Sequence, residues 1–189
     1  MVCKKEVIAW FRDLSAHRRI DFLCALMDCC GPLELRFLGS YVEELGRKDF
    51  ESLRECELNA NDLSYLSKLT NISDIRILDK VLTSLALMNS KCQEGARVLF
   101  TTLKDHTNTI LNGGRTARDS SQQSATTDTH GKVVLLGVMA LNHPAFTFSQ
   151  KQALRTQLSA LLQAVEGQTC EEVSCQKSIY NSGMRFLLG

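Results

Sequence analysis

The chain has 189 residues, 44% hydrophobic and 23% charged, which is enough apolar material for one domain with a substantial core and too much for disorder throughout. A formal charge of +1 excludes a strongly electrostatic grip on nucleic acid or an anionic membrane by the molecule as a whole, while leaving room for a local basic face. Only two prolines occur, Pro32 and Pro144, too little turn punctuation for a β protein, so long helices are expected.

Lys4 to Asp13 reads as a short amphipathic helix with Val7, Ile8, Trp10, Phe11 and Leu14 on its apolar side. Ser15 suits an N-cap, and a second helix follows from about Ala16 to Cys29, with Ile20, Phe22, Leu23, Leu26 and Met27 at helical spacing. Gly31-Pro32 ends that helix and starts a third, to about Leu45, making a helical hairpin. Its stripe is Leu33, Phe37, Leu38, Tyr41, Val42 and Leu45, read as core-facing, with Gly46 as a stop.

Arg47 to Asn59 predicts a fourth helix carrying Phe50, Leu53 and Leu58, and Asn59, Asn61 and Asp62 predict a break. A turn or short helix covers Leu63 to Leu69. Asp74 to Asn89 and Cys92 to Leu111 predict two longer helices, the second stopped at Asn112-Gly113-Gly114. Residues 113–130, rich in Ser, Thr and Gln, read as a flexible loop. Lys132 to Leu141 is almost continuously apolar. Its valines allow a strand, but the helical surroundings favour a buried central helix. Asn142-His143-Pro144 ends it, and Ser149 is placed to cap a last helix to about Val165. The fold class is therefore all-α, a multi-helix bundle: one helical interaction domain over 1–166, then a disordered tail over 167–189.

The candidate chemistry is sparse. Cys24, Cys29 and Cys30 cluster, but no Cys-x-x-Cys pair or nearby His completes a metal set, so they read as core-packing thiols. Cys170 and Cys175 lack a second ligand pair. None of His17, His106, His130 and His143 stands in a nucleophile signature. His17 reads as a solvated neighbour of two arginines and His143 as part of a turn. No catalytic residue, cofactor or metal is expected, and the chain is not expected to be an enzyme.

Two binding features remain. Trp10 and Phe11 are adjacent and cannot share one narrow stripe, so one reads as packing inward and the other as a candidate partner contact, with core packing of both as the plainer explanation. Arg18, Arg19, Arg47 and Lys48 join into one positive patch if the second and third helices pack antiparallel. Such a patch offers a weak RNA contact, with solvated helix ends as the plainer explanation. No apolar run reaches the ~18 residues of a membrane span. Charges also interrupt MVCKKEVIAWFRDL where a signal peptide needs its apolar core. A cytosolic or nuclear chain with eight reduced cysteines is expected.

The residues from Ala9 to Asp62 resemble the N-terminal helical domain of the zinc finger CCHC domain-containing proteins 2 and 14. The resemblance is carried by Trp10-Phe11, the helix from Arg19 to Leu26, the block PLELRFLGS from Pro32 to Ser40, and Arg47-Lys48-Asp49. MALNHPAFTFSQKQALRTQL, Met139 to Leu158, is a second marker. More distantly, the chain is similar to the pseudo-HEAT helical region of the Smaug family of translational repressors. These resemblances imply a short helical stack in cytoplasmic mRNA regulation, with noncanonical poly(A) polymerases or other RNA-regulatory factors as protein partners. The zinc knuckle of the CCHC proteins does not carry over, because its Cys-x2-Cys-x4-His-x4-Cys spacing is absent. The reading is thus of a short form of that plan, a protein-interaction scaffold, with direct RNA binding as the alternative.

Overall fold

A computed structural model describes residues 3–113 and 123–166. The chain is all-α: α1 (Lys4–Asp13), α2 (Ala16–Asp28), α3 (Pro32–Gly46), a 3-10 turn (Arg47–Asp49), α4 (Phe50–Ala60), α5 (Leu63–Leu66), α6 (Ile75–Leu87), α7 (Gln93–Gly113), α8 (Gln123–Asn142) and α9 (Phe148–Glu166). Among the described residues there is no strand. The apolar run at Lys132–Leu141 is the buried central helix, within α8, rather than a strand. α8 also takes up the end of the expected 113–130 loop, beginning at Gln123. Residues 114–122 of that loop and the expected tail, 167–189, lie outside the described residues.

Local chemistry sets the helix ends. The Glu34 carboxylate accepts from the Gly31 N–H at 2.6 Å, and Pro32 occupies the first turn of α3, where no donor is needed. Asp62 and Asp74 cap α5 and α6 by accepting from the backbone N–H groups of Ser64 and Arg76. Two expected caps differ. The Ser15 hydroxyl lies 3.3 Å from the His17 ring and makes no cap bond. Thr147, not Ser149, starts α9: its hydroxyl accepts from the Gln150 N–H while the Gln150 side chain accepts from the Thr147 N–H.

The core belongs to the second two-thirds of the chain. Leu78, Val81 and Leu85 of α6 meet Leu99 and Leu103 of α7, Val133, Leu136 and Ala140 of α8, and Leu154, Leu158 and Leu161 of α9. α8 is central, packed against α2, α6 and α9, which explains why its apolar residues are not confined to one stripe. Thr102 and Thr107 are buried with their hydroxyls donating to carbonyls one turn back. Lys132 and Asp79 pair at 2.7 Å across α8 and α6.

Gly95 and Gly137 permit close helix approach. A methyl at Gly95 would stand 2.7 Å from the Cys92 sulfur and 3.0 Å from Leu66, and one at Gly137 would stand 3.0 Å from Leu158.

Candidate functional site

The cavity between Leu103, Thr107, Val133, Gly137 and Leu158 holds about 10 Å³, the threshold for a single water. Among the described residues, no three of His, Cys, Asp and Glu gather as a metal set. Burial, reinforced by Asp21 and Asp28, raises the Cys24 thiol, the opposite of what a nucleophile needs. Cys29 and Cys30 donate to carbonyls one turn back in α2.

The surface of the first four helices is unlike the rest. α1, α2 and α3 contain no buried residue, and Ala60 is the only one in α4. Yet α1 exposes Val7, Ile8 and Trp10; α2 exposes Leu23, Leu26 and Met27; and α4 exposes Phe50, Leu53 and Leu58. α3 goes furthest, with Leu33 84% and Phe37 71% exposed and Leu35, Tyr41, Val42 and Leu45 exposed as well. The reading of the α3 stripe as core-facing is corrected: among its apolar residues only Leu38 reaches partial burial. The physical reason is topological. α2 packs chiefly on α8 and α4 on α6, whereas α3 has no substantial packing beyond the turn that follows it. Helical spacing identifies an apolar face but not the surface that covers it.

The residues named in advance as partner-facing fall on this part of the molecule in different states. Trp10 is 41% exposed and meets the Phe22 ring edge-on at 5.1 Å, while half-buried Phe11 lies 6.2 Å from the same ring. Phe22 thus anchors α1 to α2 and leaves part of the indole outside. Arg19 is occupied: its guanidinium donates to the Leu14 carbonyl at 2.7 Å and the Arg12 carbonyl at 3.4 Å, tying α2 to the end of α1. Arg18 is half-buried. Arg47 pairs with Glu44 at 3.3 Å, both well exposed, and Lys48 is exposed in the 3-10 turn.

The antiparallel packing of α2 on α3 that would join the two basic pairs is not made. His17, expected in solvent, is half-buried, and its pKa is lowered by that burial and by Arg18. Sequence reasoning missed Leu33, Leu35, Leu58 and their neighbours as candidate contacts. The signal available was a helix apolar over an unusually wide arc.

Comparison with known families divides the chain just before α4, close to where burial divides it, so that most of α4 falls with the core-forming part. A model described as an RNA-binding protein vts1-like domain matches residues 4–48, which is α1 to α3 with the turn after them. A model described as a SMAUG-like PHAT domain matches residues 53–166, more than half of the chain and the part that holds the core. These matches agree with the more distant of the two resemblances seen in the sequence, the pseudo-HEAT helical region of the Smaug family. They associate the chain with RNA regulation, and by the extent of the second match the chain belongs to the SMAUG-like PHAT domain family.

Proposed function

We propose that this chain is a noncatalytic protein-docking module in cytoplasmic post-transcriptional control of mRNA, working through the exposed apolar surface of α1 to α4. One observation carries the reading: large apolar side chains crowd the surface of one end of the molecule while the other end buries its own. Monomeric proteins rarely leave contiguous apolar patches beyond ~300–600 Å², and larger ones mark interaction sites. Trp10 suits a hot-spot role because Trp combines a large apolar area with a polar edge.

The resemblance to the CCHC proteins 2 and 14 supports a noncanonical poly(A) polymerase as the first partner to try. The test is a pull-down from cell extract with the whole chain as bait. RNA-regulatory proteins are expected in the eluate, and their absence contradicts the reading.

Direct RNA contact is the second reading, favoured by the match to an RNA-binding protein vts1-like domain and by Arg47 and Lys48 at a helix end. The balance of charge weighs against it. Residues 3–50 carry eight basic and eight acidic side chains, so this end offers phosphate no net attraction. Fluorescence anisotropy with hairpin RNA at low salt separates the two readings. Salt-dependent binding lost in Arg47→Glu/Lys48→Glu supports RNA contact, and no binding removes it.

A further inference from the structure

We infer that the outer face of α4 is a docking site for a basic amphipathic segment of a partner protein, one with apolar side chains at helical spacing flanked by lysines or arginines. The inference rests on the docking reading and names the partner's chemistry for one part of that surface.

α4 has two faces. Half-buried Cys56 and Asn59 and buried Ala60 mark the side that packs on α6. Phe50, Leu53 and Leu58 are exposed, Leu58 at 69%, and exposed Leu63 carries the apolar surface past the end of the helix onto α5. At 1.5 Å per residue, Phe50 and Leu58 stand about 12 Å apart along the helix axis, a length that two turns of a partner helix cover.

Charge determines what fits there. From Glu43 to Asp62, seven acidic side chains stand against three basic ones, Arg47, Lys48 and Arg54, and all of them are exposed. The whole chain has 21 acidic and 22 basic residues, so this excess is local. On α4 itself Glu51, Glu55 and Glu57 accompany the apolar residues, and Arg54 is the one opposing charge. α6 with its Asp74 cap adds no net charge, since Asp74 and Asp79 balance Arg76 and Lys80.

An apolar face among carboxylates selects its partner by sign. It repels the phosphates of RNA, and it repels a second copy presenting the same face. A basic amphipathic segment satisfies both features. Its apolar side covers Phe50, Leu53 and Leu58, as a helix laid into a groove does. Its cations meet the carboxylates, where each exposed pair is weak but several together steer encounter and fix register.

Fluorescence anisotropy of the whole chain with labelled peptides tests this. The probes are a Leu/Lys amphipathic helix, a Leu/Glu helix of the same apolar pattern, and a Lys/Gln peptide with the same charge but no apolar face. The Leu/Lys helix should bind about tenfold or more tighter than either of the others, and its affinity should fall as salt rises. Glu55→Lys/Glu57→Lys and Leu58→Ser should each weaken it about tenfold or more, and Arg54→Gln should tighten it. These side chains are exposed, so melting temperature should barely change, which separates lost docking from unfolding. Equal affinity for the Leu/Lys and Leu/Glu helices overturns the inference. So does Leu/Lys binding indifferent to Glu55→Lys/Glu57→Lys or to Leu58→Ser, and so does hairpin RNA or a second copy held by this face and lost in Leu58→Ser. If Glu55→Lys/Glu57→Lys captures the same RNA-regulatory proteins from extract as the wild type, the basic partner is overturned and the docking reading stands. If the Leu/Lys helix binds as expected while the wild type captures none of them, the site stands and the role in RNA regulation does not.

Discussion

His143 shows how one side chain joins distant parts of the fold. Its Nε2 donates to the Met88 carbonyl at 3.1 Å and its Nδ1 accepts from the Ala145 N–H at 3.2 Å, so the neutral ring fixes the α8–α9 turn against the end of α6. Asn61 grips the same segment from the other side, donating to the Leu87 carbonyl and accepting from the Asn89 N–H at 2.8 Å. Burial holds the His143 pKa below its usual 6.5, against the opposing pull of the Met88 bond, and burial likewise lowers His17 and His106. A histidine depressed in the folded state contributes stability above its unfolded pKa and loses it as pH falls through the folded value. Melting temperature should therefore drop between about pH 7.5 and about pH 5.5. His143→Gln should cost about 1–2 kcal/mol at neutral pH and flatten that dependence in thermal melts.

Arg19 makes a second case at the same scale. Because it bridges to the end of α1, Arg19→Ala should fray α1 and speed its amide exchange, whether or not any partner is present. A charge reversal there does not isolate a binding contribution. Arg47 and Lys48 are cleaner probes because both are exposed.

Among the elements, α8 and α3 are opposites. The run Val133 to Leu141 was legible in sequence as a buried helix, because no single solvated face interrupts it. The stripe of α3 was equally legible as a helix, but its environment was not. Its 3.6-residue repeat is the same whether the covering surface belongs to this chain or to another. Substitution separates them: Leu136→Ala should cost about 2–5 kcal/mol in denaturant unfolding, and Leu33→Ser should leave the α6–α9 transition within about 0.5 kcal/mol.

Gly95 adds a prediction that spacing could not supply. Ala in a helix interior normally gains up to about 1 kcal/mol over Gly. Here the added methyl meets Cys92, Leu66 and Met88 at 2.7–3.1 Å, so Gly95→Ala should lower the melting temperature through overpacking.

On the scale of the whole molecule, the chain divides its apolar residues between two uses. From Ala60 onward they close a core around α8, and before it they stay largely on the surface. Composition could not reveal this division, since 44% hydrophobic content is ordinary for a chain that buries all of it. The all-α class, the helix order and the Smaug-like resemblance were readable because they depend on local pattern. The docking surface was not, because it depends on which helices lack a neighbour. The most direct test of a protein that acts through this surface is proximity labelling in cells, comparing the wild-type chain with Trp10→Ser/Leu58→Ser. Loss of RNA-regulatory neighbours with unchanged far-ultraviolet circular dichroism is the predicted result, and an unchanged set of neighbours contradicts the account.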